Sequence, residues 1–422
     1  MPGTGSNGRA GMTESSDIIL LTFVVGLILL AVRLFGSYLK RLGLPALVAF
    51  ILIGVILRAS HYQWHWITSE CEDVFEFLAK LGLVALLFRI GLESNIKMLF
   101  ERLKSASFIW IGNIVISFLA GYWTAYYLLD LNLVPSLFIG SAMVATSVGI
   151  SVGIWKEAEQ LKSRRGEILT DVAELDDITG IIVIAVLFSI VPFLKQGSFS
   201  GALFSEVLRE TGLVLLKLVL FGAICVLFSI YLEQRVVSYF KNLQKKSEPI
   251  IVIAGLGIVL ASLAGLLGFS LAIGAFFAGA AFSRDPEHVK IDAAFSPLYS
   301  FLSPFFFIGI GLKVALASLS GAIIVGLILT VAAIFGKIIG TCTPAVFGEG
   351  WKGASLLGVS MIPRAEIALI IMQKGLALGA WAVSSKLFSA MVFVSAATCI
   401  LTPFAVRAML HKWPQAQTGG AG

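Results

Sequence analysis

Long apolar runs alternate with short polar connections from about residue 18 to about residue 410 of this 422-residue chain. Thirteen runs read as helices: 18–35, 42–58, 77–92, 106–129, 135–155, 168–194, 211–232, 249–267, 269–283, 297–316, 320–347, 353–374 and 386–410. A bilayer core about 30 Å thick is crossed by about 20 helical residues, so most of these runs have the length of a span. Several are short or carry Gly and Pro, which membrane helices tolerate only where the freed backbone is buried in protein or faces water. The pattern predicts an all-α polytopic membrane protein of about 13 transmembrane helices. Residues 1–16 are expected to be a disordered N-terminus, residues 17–410 the membrane domain and residues 411–422 a short tail.

The apolar pattern repeats. Leu42-Gly-Leu-Pro-Ala followed by Gly54 has the spacing of Leu267-Gly-Phe-Ser-Leu followed by Gly279. Ile90-Gly-Leu-Glu93 matches Ile310-Gly-Leu-Lys313, Gly112-Asn113 matches Gly336-Lys337, and Gly140-Ser-Ala-Met143 matches Gly358-Val-Ser-Met361. The ordered series predicts repeat one over about 18–194, a linker helix over about 211–232 and repeat two over about 249–410. Partners lie seven runs apart, an odd number, so the second copy is inverted in the membrane. Inverted repeats with a site near the midplane mark many secondary transporters. Corresponding runs also carry interruptions, Thr146-Ser-Val-Gly149 and Pro363-Arg364. Proline removes a backbone donor, and Ser and Thr hydroxyls compete with the helical ladder, so two crossing broken helices are expected there.

Composition supports the membrane class, with 58% hydrophobic and 13% charged residues. The net charge of +6 is dispersed through the connections, which points to topology rather than to nucleic acid. Lys and Arg collect at 18 against 7 on alternate sides, which places the N-terminus outside and the C-terminus in the cytoplasm. Four cysteines, three of them in apolar runs, predict neither a disulfide framework nor a metal site. The histidines fall in loops or ends and no nucleophile–base spacing stands out, so an enzyme is not expected. The first run lacks a small-residue cleavage pattern and is not read as a removable signal peptide.

Ionisable residues inside the runs carry the candidate chemistry, because a charge in the bilayer costs at least about 2.5–3.5 kcal/mol. Asp171, Glu174 and Asp177 follow one another at i, i+3 steps, predicting one acidic face able to hold a cation or a proton, with Asp176 turned about 100° away. Lys337 lies too deep to snorkel and needs a carboxylate, for which Asp176 and Asp177 are available. Arg364 and Glu366, beside the second break, are expected to stabilise it by pairing with each other or with Glu174. Thr146 and Ser147 are expected to offer hydroxyl or backbone oxygens, since hard cations prefer oxygen ligands. Arg89 has only Glu93, one turn on, as an evident partner.

Taken together, Leu44-Pro-Ala-Leu-Val, Leu81-Gly-Leu-Val-Ala-Leu-Leu-Phe with Gly91-Leu-Glu93, Ala145-Thr-Ser-Val-Gly149, Asp176-Asp177, Gly268 to Gly279, Gly336-Lys337 and Arg364-Ala-Glu366 resemble the monovalent cation/proton antiporters. The resemblance is to the branch of Nap-type sodium/proton exchangers and Kef-type membrane domains, and it runs from about residue 18 to 410. It implies that Asp177 binds sodium or protons, that Asp176 pairs with Lys337 and that exchange is electrogenic. It also implies a homodimer in a bacterial cell membrane and no cofactor beyond the transported ions. Two features depart from the pattern: Arg364-Ala-Glu366 replaces the usual Arg-Gly-Glu, and Arg89 stands where an apolar residue is usual. The chain ends soon after the last run, which favours a stand-alone exchanger. The expected function is exchange of sodium, or potassium, for protons. A bile-acid-type sodium-coupled symporter and a proton-gated channel are the alternatives.

Overall fold

The computed structural model describes residues 7–64, 68–93, 96–195, 201–232, 235, 250–267, 269–283 and 288–415. The helices are α1 (Asn7–Arg41), α2 (Ala46–Trp64), α3 (Ser69–Glu93), α4 (Ile96–Trp123), α5 (Leu133–Val144), α6 (Val148–Glu157), α7 (Arg164–Lys195), α8 (Gly201–Tyr231), α9 (Ile250–Leu266), α10 (Leu271–Ala281), α11 (His288–Leu312), α12 (Leu319–Ser360), α13 (Glu366–Leu378) and α14 (Ser385–Lys412). No strand occurs among the described residues, and nine of their helical stretches are long and apolar enough to cross a membrane. Each of the thirteen expected runs overlaps a helix or a helix pair. α1 begins at Asn7, within the stretch expected as the N-terminal segment, and residues 1–6 lie outside the described part. Gly268, at the head of one quoted motif, also lies outside it.

Two groups of helices form. α1–α3 pack with α9–α11, and α4–α7 pack with α12–α14; α8 touches α7 and α10 and links the groups. The internal repeat explains the contacts that glycine permits. Gly54 and Gly311 meet backbone to backbone: a Cβ on Gly54 would strike the Ile308 carbonyl oxygen, and one on Gly311 would strike that of Ile51. Their repeat partners, Gly279 and Gly91, do the same against the carbonyl oxygens of Phe88 and Phe276. The α2–α11 contact is thus reproduced, with roles exchanged, as the α10–α3 contact. In the second group, Gly112 and Gly340 bring α4 and α12 together in the same manner, each with the other's carbonyl oxygen 2.8 Å from where a Cβ would stand.

Both breaks are present. The chain is extended at Ala145 (φ −69°, ψ 145°) and Ser147 (φ −82°, ψ 90°) between α5 and α6. It is non-helical again from Ile362 to Ala365 between α12 and α13, where Pro363 disfavours helix in the residue before it. The first break is shorter than the Thr146–Gly149 pattern suggests, because Gly149 lies inside α6. α12 joins the eleventh run to the first half of the twelfth through a turn at Gly350, whose φ of 66° suits glycine.

Candidate functional site

The two breaks touch. The Ser147 N–H donates to the Pro363 carbonyl at 2.8 Å, and the Thr146 hydroxyl reaches the Met361 carbonyl at 3.5 Å. A crossing of this kind leaves carbonyl dipoles at the end of α5 and N–H dipoles at the start of α13, partial charges that ask for opposite partners. At the first of these ends, Lys337 Nζ donates to the Val144 carbonyl at 2.7 Å and Arg364 Nη1 to the Ala145 carbonyl at 2.5 Å. At the second, Glu366 stands in the first turn of α13 and accepts from the Ser147 hydroxyl at 2.9 Å. The expected Arg364–Glu366 pair does not form among the described residues. Both residues instead reach from the second break to the first, Arg364 to the Ala145 carbonyl and Glu366 to the Ser147 hydroxyl, and so brace one break against the other.

α7 passes close behind the crossing. A Cβ on Gly180 would come within 2.8 Å of Ile367 and 3.4 Å of the Ala145 Cβ, so glycine at this position lets the helix approach. One turn earlier, Asp176 is completely buried. Its Oδ2 accepts from Asn113 Nδ2 at 2.7 Å, the Thr146 hydroxyl at 2.6 Å and Lys337 Nζ at 3.0 Å. Thr341 in turn donates to Asn113 Oδ1 at 3.2 Å. The lysine and the carboxylate that the sequence placed in one membrane layer therefore meet, and Arg364 interacts electrostatically with the same carboxylate. Asn113 is the residue that sequence reasoning passed over. Its repeat match to Lys337, Gly112-Asn113 against Gly336-Lys337, was the available signal, since both members of that pair now contact Asp176.

Asp177, one residue on and about 100° around the helix, faces elsewhere. It lines a cavity of about 1060 Å³ together with Glu174, Glu93, Glu366, Thr146, Arg89 and Tyr299. Arg33 and Lys40 of α1 and Lys156 of α6 also border it. The carboxylates of Glu366, Asp176, Glu93 and Glu174 all act on Asp177 electrostatically. Such a clustering of negative charge beside a cavity can hold a monovalent cation or a proton, either of which relieves the repulsion. Asp171 is not part of it. It lines a different hollow, between α4, α7 and α12, because two i+3 steps lag the helix by about 120° and carry the side chain off the Asp177 face.

Supporting contacts fix the geometry. Trp155 is fully buried and donates to the Ser360 hydroxyl at 3.0 Å, while the Ser151 hydroxyl bonds the Ser360 carbonyl, so α6 is stitched to the end of α12. Thr398 accepts from the Arg364 N–H at 3.1 Å, and Ser395 donates to the Arg364 carbonyl at 2.5 Å, anchoring the second break on α14. Farther along α7 and α13, a hollow of about 340 Å³ is lined by Lys217, Lys374, Ser189 and Ser270, with no carboxylate.

The transmembrane sodium/hydrogen exchanger family profile matches residues 11–412. Among curated proteins, a high-affinity Na+/H+ antiporter of Synechocystis sp. is 27% identical over 87% of this chain and 86% of its own length. The Na+/H+-K+ antiporter GerN of Bacillus cereus is 28% identical over 90% of this chain and 94% of its own. The Na+/H+ antiporter of Enterococcus hirae is also 28% identical, over 92% and 98%. Among solved structures, a sodium proton antiporter from Methanocaldococcus jannaschii superposes with a TM-score of 0.67 at 15% identity, covering 94% of this chain and 97% of that one.

Proposed function

The chain belongs to the sodium/hydrogen exchanger family, and on that premise we propose that it exchanges sodium, or potassium, for protons at Asp177 in the acid-lined cavity. Support comes from the relatives named as Na+/H+ antiporters and, in this chain, from one observation above the rest: a carboxylate surrounded by carboxylates borders a cavity at a crossing of broken helices. A single carboxylate that holds either a cation or a proton couples the two fluxes by competition. Broken helices of this kind form the ion sites of many secondary transporters. Asp176 is a positioning group, held with Lys337 between α7 and α12.

Sodium would sit at Asp177. Thr146, which lines the cavity, donates its hydroxyl proton to Asp176, and Ser147 beside it donates to Glu366; both hydroxyls thereby orient carboxylates, and their oxygen lone pairs remain able to join the carboxylates and the backbone in holding the ion. Glu174 and Glu366 supply further negative charge, while Arg364 neutralises the end of α5. The cavity is bordered by Lys40 and Lys156, two of the cations assigned to the cytoplasmic side, which supports a form open to the cytoplasm with the N-terminus outside. A homodimer in a bacterial cell membrane completes the reading.

Electrogenic exchange requires a second proton carrier, and Lys337 beside Asp176 is the candidate. A second reading, in which Lys337 only braces the crossing, is favoured by its complete burial and by its two acceptors, Asp176 and the Val144 carbonyl. Proteoliposomes separate the two. If Lys337 carries a proton, Lys337→Gln loses current even where exchange survives; wild-type current in a folded Lys337→Gln protein leaves Lys337 a brace. The exchange reading itself is tested by sodium uptake against an imposed pH gradient, and absence of proton-coupled uptake for both sodium and potassium would overturn it.

A further inference from the structure

Arg33, Lys40 and Lys156 border the cavity as Arg89 does, but Arg89 is the arginine of its wall that is bonded to one of the carboxylates acting on Asp177. Its Nε donates to Glu93 Oε1 at 3.0 Å, one turn along α3, and its guanidinium stacks over the Tyr299 ring of α11 at 4.4 Å. Arg89, Glu93 and Tyr299 all line the cavity that contains Asp177, Glu174 and Glu366. Tyr299 interacts electrostatically with Glu366, Arg89 and Glu93, so the group is compact. Glu93 also acts on Asp177 through its charge. A planar guanidinium braced on an aromatic face and bonded to a carboxylate is held in one place, and the side chains come from two different helices.

We infer that Arg89 is a positioning residue that clamps Glu93 and so sets the cavity's apparent affinity for the transported monovalent cation. The clamp partly offsets one of the negative charges that draw a cation toward Asp177, the pair being partly screened by solvent. It keeps affinity low enough for release, and Tyr299 holds the guanidinium away from Asp177 and Glu366 so that it does not occupy their place. This rests on the exchange reading above. It differs from a purely structural role for Arg89, which would change folding or turnover and leave half-saturation alone.

Four proteins decide it: wild type, Arg89→Gln, Arg89→Lys and the double variant Arg89→Gln/Glu93→Gln. Two quantities are read for each, the half-saturating sodium concentration for exchange in proteoliposomes and that for sodium-dependent stabilisation against thermal unfolding of the purified protein. Arg89→Gln is expected to lower both by about threefold to tenfold, the size of one partly screened charge at several ångströms. Arg89→Lys keeps the charge and is expected near wild type; the double variant is expected to lose the gain. Raising ionic strength with choline chloride should shrink the difference. An Arg89→Gln protein that folds and exchanges with wild-type half-saturation overturns the inference. So does a double variant that keeps the full gain, since Glu93 would then not be the intermediary. Because stabilisation by sodium is read without transport, a wild type that binds sodium but does not exchange it strikes the exchange reading alone, while the binding series still judges Arg89.

Discussion

Asp176 and Asp177 are neighbours of identical chemistry in opposite surroundings. Asp176 has a lysine, an asparagine and a threonine on one oxygen and is sealed from solvent. Asp177 has four carboxylates for electrostatic neighbours and borders a cavity. About 100° of helical rotation separates them, enough to turn one toward α4 and α12 and the other toward α3 and α11. The difference teaches how a membrane protein stores two kinds of charge. A buried charge with its counter-charge and hydrogen bonds is a fixed structural element, whereas one left among like charges beside water gains by taking up a mobile ion.

The largest expected effect breaks the comparison at its mobile end. Asp177→Asn should abolish exchange while leaving the thermal unfolding temperature of the detergent-purified protein near that of wild type, because among the described residues its charge meets other carboxylates and makes no ion pair. At the fixed end, Asp176→Asn leaves Lys337 buried without its counter-charge. It should cost about 3–5 kcal/mol of stability, the usual cost of breaking a buried pair, with part of that regained in Asp176→Asn/Lys337→Met. Retained stability in the single variant would remove the distinction between the two aspartates.

Much of this arrangement was legible beforehand, for physical reasons that differ from residue to residue. The breaks could be located because Pro363 and the Thr146-Ser147 pair oppose helix locally, and Lys337 announced a buried partner because its charge is too costly alone. The register of the repeats carried the glycine contacts, since only small residues let backbones approach. Other features depend on three-dimensional direction. Arg364 reaching the Ala145 carbonyl instead of Glu366 follows from where a side chain leaves a break, which spacing alone underdetermines; Asp171 falling into a separate hollow was already contained in the spacing, since two i+3 steps accumulate a lag of about 120°. The choice between Asp176 and Asp177 as the paired residue came from resemblance; residues alone left it open. Asn113 was hidden because an amide among apolar neighbours carries no strong signal until its repeat partner is set beside it.

A smaller effect sharpens the fixed side. Thr146→Ala removes one of three donors to Asp176 and should cost about 1.5–3 kcal/mol, the range for a hydrogen bond to a charged group, as read by chemical denaturation. Sodium half-saturation should move little, because the lost bond serves Asp176; a large change would place Thr146 on the ion instead. The smallest effect lies at the surface. Arg407 bonds Glu157 at 3.0 Å with both side chains exposed, so Glu157→Gln should change stability by less than about 1 kcal/mol and leave exchange intact, measured by the same unfolding and flux assays.

The central claim is that one carboxylate, Asp177, is contested by cation and proton. Its most direct measurement is the half-saturating sodium concentration of wild-type proteoliposomes across a pH series, at fixed membrane potential. Competition requires half-saturation to rise as pH falls, approaching about tenfold per pH unit for each proton displaced, with the maximal rate at saturating sodium preserved. Half-saturation that stays constant across the series while exchange continues would contradict the account, because cation and proton would then occupy separate groups.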